Sequence, residues 1–173
     1  MWASTVHEAL MAEGRTEEAL QAAERQLEDD DFMADSIARD ATPLRAVEAA
    51  VELGTIDRAD RILAPLEARR PGNFRPPVRA HALRWRARIA DIEGGVEHAE
   101  ALLRGAVATY DAHGMVFWLA VARTELAELL VRQGRDDEAA ELELGARATF
   151  ERLRAAPWLT RVEAIATPSG VPA

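Results

Sequence analysis

Four glycines, Gly14, Gly54, Gly94 and Gly134, recur at one constant interval, a period of 40, and five positions after each comes an alanine: Ala19, Ala59, Ala99 and Ala139. A fixed period of roughly 20 to 50 residues marks stacked supersecondary units, none able to bury its apolar face alone. Each glycine follows one apolar helical stretch and precedes a second, entered through Thr, Asp or Glu. Glycine suits a helix C-terminus because it takes the left-handed conformation there without steric cost. Alanine suits a close crossing of two helices, where a larger side chain would hold the backbones apart. The register therefore predicts an all-α chain of helix-turn-helix repeats.

Taken in order, the periodicity predicts helices over 3–13 and 16–27, the first with Val6, Ala9, Leu10 and Met11 on one side and the second capped by Thr16. Glu28-Asp29-Asp30-Asp31 then opposes the helix dipole and should end the helix. This run lacks the alternating ligands and turn glycine of a calcium loop, and reads as a solvated connector. After an ambiguous stretch at 32–41, for which a short helix after Ser36 is one option, Thr42-Pro43 predicts a helix start, with Leu44, Val47, Ala50 and Val51 as the apolar stripe. Pro65 should kink the helix over 56–69. The prolines Pro71, Pro76 and Pro77 mark a turn between repeats, and further helices are expected over 78–92, 96–113, 115–133 and 135–154. The expected organisation is one repeat domain, 1–166, with repeats at about 3–33, 43–73, 78–113 and 115–155. Trp158, Leu159, Val162 and Ile165 would form a capping segment at 157–166, followed by a disordered tail at 167–173.

Thirty acidic residues against 21 basic ones give a net charge of −9, which repels phosphate backbones and argues against nucleic-acid and anionic-membrane binding. Every basic residue is arginine and there is no cysteine, so no P-loop lysine, Schiff base, thiolate metal site or disulfide can form. The opening residues lack the basic and apolar regions of a signal peptide, and no run of about 18 apolar residues occurs, so a cytoplasmic protein is expected. His7, His81, His98 and His113 never fall three or four apart, so no helix offers two metal ligands on one face. Ser4, Ser36 and Ser169 lie in no nucleophile-elbow pattern, and Gly94-Gly95 lacks the further glycines of a dinucleotide loop. No catalytic residue, metal or cofactor is expected.

The spacing resembles the tetratricopeptide repeat. The last repeat carries the likeness best: Leu126, Ala127, Leu130, Gly134, Ala139 and Ala146 stand where that family has Leu, a small residue, a large residue, Gly, Ala and Ala. Pro71, at the end of the repeat that Gly54 divides, falls on the family's repeat-ending proline. A period of 40, against the family's usual length of about 34, implies longer helices or connectors. The resemblance spans about residues 3–155. It implies a right-handed α-solenoid of about four repeats, acting as a non-enzymatic scaffold that binds a protein or peptide segment. The closing stretch ARATFERLRAAPWLTRVEAI is also similar to the end of the repeat region in large bacterial signalling ATPases and transcriptional activators. That similarity implies, as an alternative, a ligand-sensing regulatory arm.

In tetratricopeptide scaffolds the concave groove comes chiefly from the first helix of each repeat. Mapping that face here gives Glu8, Met11, Leu44, Glu48, Val51, His81, Arg84, Arg88, Asp91, Thr124, Glu128 and Arg132. Arg84 and Arg88, four apart, share one helical face, and their forked guanidiniums suit a carboxylate on a partner segment. The alternatives are pairing with Glu48 or Glu128, or facing water. Trp85, Phe117 and Trp118 are expected to be packing residues, because the nine aromatics are scattered along the sequence and define no cage. Residues 115–122, MVFWLAVA, are apolar all round, and are expected to be buried between neighbours or, alternatively, to form a homodimer face.

Overall fold

The computed structural model describes the backbone of residues 2–29, 36–69 and 75–165, and the side chains of these residues except 2–5 and 36–38. The helices are α1 (Trp2–Ala12), α2 (Thr16–Leu27), α3 (Ser36–Glu52), α4 (Ile56–Glu67), α5 (Pro76–Ile92), α6 (Val96–Ala112), α7 (Val116–Arg132), α8 (Asp136–Leu153) and α9 (Ala156–Ile165). Among the described residues there is no strand. The fold is an all-α solenoid of helix-turn-helix repeats, as the register predicts. From α2 onward the helices begin at residues 16, 36, 56, 76, 96, 116, 136 and 156, so each repeat consists of two halves of equal length.

The turns explain this regularity. After α1, α3, α5, α6, α7 and α8 a residue just past the helix takes positive φ, between 54° and 83°: Gly14, Gly54, Gly94, Gly114, Gly134 and Arg154. The N–H of the next residue then donates five positions back, as in Arg15 to Leu10 at 2.8 Å, Met115 to Tyr110 at 2.9 Å and Ala155 to Phe150 at 2.9 Å. This closure satisfies carbonyls that a helix end otherwise leaves bare. The residue making that bond also stands at the N-cap of the following helix, so the connection has no slack. Thr16, expected to cap α2, is instead its first helical residue; Arg15 occupies the N-cap, without a side-chain cap bond. Glu17 and Glu18 complement the dipole from the first turn.

Arg154, with φ 54°, departs from glycine at this position. A left-handed L-residue costs about 1 kcal/mol, so Arg154→Gly is expected to raise the melting temperature by about 2–4 °C in a circular-dichroism melt. A fall would show that the arginine side chain contributes more than its backbone costs.

The helix start expected at Thr42-Pro43 is overturned. α3 begins at Ser36 and runs through Pro43. A proline inside a helix leaves the carbonyl four residues earlier, here that of Arg39, without its donor. The Arg69 guanidinium, from just beyond α4, supplies one at 3.0 Å. The same side chain holds Asp40 at 2.8 Å, and Arg75, just before α5, holds the other Asp40 oxygen at 2.6 Å. Tertiary contacts thus offset a local rule. Val6 and Ala9 are exposed, and among the described side chains of α1 the buried one is His7.

Helix length follows burial. α6 and α8 run for 17 and 18 residues and bury Tyr110 and Phe150 near their ends, whereas α2 and α4 have 12 residues each. The equivalent positions in the first two repeats are Asp30 and Arg70, which lie outside the described residues, as do Asp31, Pro71 and the expected tail at 167–173. α2 ends at Leu27, where the acidic run begins.

Contacts group the residues into two compact units, Met1–Ile89 and Ala90–Ala173, with the boundary inside α5. In unit 1, α1 packs on α2, α2 on α3 and α3 on α4, around Leu20, Val47, Ala50, Leu63, Leu66 and Ile89. In unit 2, α6 packs on α7, α7 on α8 and α8 on α9, while α9 also reaches α7. Ala19, Ala59, Ala99 and Ala139 are at most 1% exposed, as close helix crossings require.

Candidate partner-binding face

The mapped positions divide between the units. In unit 1, Glu8 is exposed, Met11 and Leu44 are half-buried against the core, and Val51 is buried. The Glu48 carboxylate lies 4.0 Å from His7 Nε2. Spacing puts Arg84 and Arg88 on one face of α5, but their fates differ. Arg84 is only 6% exposed, its guanidinium 4.6 Å from the centre of the Trp85 ring, so it caps the core through a cation–π contact. Arg88 is exposed and makes no ion pair among the described residues. His81 is half-buried; burial first, then the charge of Arg84, pushes its pKa down to about 4, so the imidazole is neutral at neutral pH.

In unit 2 the mapped polar groups satisfy one another. Arg132 holds Asp91 at 2.6 Å. Glu128 is gripped by both prongs of Arg161, at 2.6 and 2.7 Å, and this pairing raises the arginine's pKa further. Thr124 is 0% exposed and donates its hydroxyl to the Ala120 carbonyl at 2.9 Å, so its polar group is used inside α7 and is not on the surface.

Arg161 was not among the mapped residues, although the register points to it: it stands two full periods after His81, with Val121 midway. Likewise Trp158 follows Trp118, and Leu159 follows Leu119, by one period. The capping segment is therefore a first helix in register with α7. The expected scatter of the aromatics is corrected too. Phe117, Trp118, Phe150 and Trp158 gather where α7, α8 and α9 meet, with ring centroids 5.2–6.1 Å apart in the contacting pairs. Edge-to-face and offset geometries of this kind suit packed rings. The 115–122 stretch is covered accordingly: Leu119 to Ala122 are buried, Phe117 and Trp118 are half-buried beside Trp158, and Val116 stays exposed.

The second helices carry ladders of paired charge. Arg58 of α4 reaches Glu17 and Glu24 of α2, at 3.1 and 2.6 Å. In unit 2, Arg104 and Arg135 join Glu100 and Glu138 between α6 and α8. Among the described residues no three potential metal ligands cluster, and no helix is long and apolar enough to cross a membrane.

Among solved structures, a crystal structure of MamA is similar over 93% of this chain and 94% of that one, with a TM-score of 0.51 and 15% identity. The fold is tetratricopeptide-repeat-like. At that identity the likeness is one of fold alone. No protein-family model matches the chain, and no curated protein does.

Proposed function

We propose that the chain is a non-enzymatic protein-interaction scaffold that takes a partner segment against the first helices of unit 1. The repeat fold supports the scaffold reading, and the contrast in charge pairing supports the location. Arg58 and Arg104 on the second helices pair with carboxylates across repeats, while Arg88 on α5 is left open to solvent. A guanidinium in that position holds an acidic side chain or a terminal carboxylate of the segment, and Met11 and Leu44 add apolar contact. Glu48, on the same face, sets the segment's direction by repelling its acidic end.

The test is a titration of a recovered partner against Arg88→Glu and against Arg61→Glu, the same reversal on the exposed face of α4. A charge-assisted hydrogen bond contributes about 1.5–3 kcal/mol, so Arg88→Glu is expected to weaken binding at least tenfold and Arg61→Glu to leave it within twofold. Equal affinities for the two variants would contradict the placement.

A further inference from the structure

Each first helix buries the residue seven positions before its closing glycine, and Val47, Ala87 and Ala127 are there fully buried. In α1 the same position holds His7, which is 5% exposed. Neither of its ring nitrogens has a hydrogen-bond partner, and the Glu48 carboxylate at 4.0 Å is beyond hydrogen-bond reach. Of the described side chains of α1, residues 6–12, His7 is the buried one. Among the described residues, α1 thus sets a titratable ring where the other first helices bury an aliphatic side chain.

The surroundings do not welcome a proton. Burial and Arg45 of α3 disfavour the charged ring, while the Ala19 carbonyl of α2 and Glu8 of α1 favour it less strongly, so the ring stays neutral below the usual histidine range. Glu48 of α3 is the carboxylate facing it. We propose that α1 is a pH-released helix: protonation of His7 places a charge beside Arg45 in a buried slot where neither ring nitrogen has a hydrogen-bond partner, and α1 undocks from α2 and α3 while the rest of unit 1 stays folded. A neutral imidazole is tolerated in such a slot and an imidazolium is not. Release carries Glu8 and Met11 off the first-helix face and uncovers the part of the core on which Met11 packs. This device stands whether or not the face binds a partner.

Amide hydrogen exchange of the full chain at pH 7.5 and pH 5.5, corrected for the intrinsic chemical rate, reads the release directly. Amides of α1 are expected to exchange up to about tenfold faster at the lower pH, relative to those of α2 and α3, because an undocked ring titrates one unit above pH 5.5. His7→Val, which restores the residue found in the second repeat, is expected to abolish the difference. The proposal is overturned if α1 amides in His7→Val respond as in the wild type, or if acid slows their exchange because Glu48 captures the charged ring. It is also overturned, without any variant, if α2 and α3 lose protection in step with α1.

Discussion

Phe150→Ala should destabilise unit 2 by about 3–5 kcal/mol, the range for truncating a fully buried aromatic side chain. Phe150 is 0% exposed and has Phe117 on one side, 6.0 Å between centroids, and Trp158 stacked on the other at 5.7 Å. Its loss removes the wall against which α9 packs, and with α9 goes the Arg161 grip on Glu128. A chain of this size loses roughly 2–4 °C of melting temperature per kcal/mol, so a fall of about 10 °C or more in the transition of unit 2 is expected. Tyr110, the equivalent residue one repeat earlier, is equally buried and should behave alike. A fall below about 3 °C would mean that the ring cluster is not the anchor of α9.

Acidification is expected to weaken unit 1 through His81. His81 has a pKa of about 4 in the folded chain against 6.5 when unfolded. Below pH 6.5 the unfolded state therefore binds a proton that the folded state refuses, and stability falls as pH drops until the folded pKa is reached. Between pH 7 and pH 4.5 the loss from this one group is about 2 kcal/mol, after allowance for partial exposure. The paired carboxylates of Glu17 and Glu100 have lowered pKa values, so their contribution is lost only at still lower pH. Urea unfolding at pH 7 and pH 4.5 measures the effect, and His81→Val, which places the residue of position 121 at position 81, should remove the share that belongs to His81. An unchanged slope in that variant would assign the effect to other groups.

The repeat was legible because a left-handed turn needs glycine and a close crossing needs alanine, and both leave a mark at fixed spacing. The half-period was harder to see, because its grid also passes through Ala34, Phe74 and Arg154, where glycine is absent. Thr42-Pro43 read as a helix start for want of Arg69, which lies in another helix-turn segment well beyond Pro43 and supplies the missing donor. At the candidate face, spacing puts Arg84 beside Arg88 on one face of α5. It could not tell that the neighbouring Trp85 would cover one guanidinium and leave the other in water. Thr124 shows the same limit, since a helical position says which way a side chain points but not what later packs over it. His7 and Arg161, by contrast, were readable by comparison with Val47 and His81 at their own register positions.

Hydrogen exchange with and without a bound partner tests the scaffold reading most directly. Slower exchange is expected around Glu48 on α3 and Arg88 on α5, with α2 and α4 unchanged. Protection confined to the second helices, or spread evenly over both layers, would contradict the proposed face.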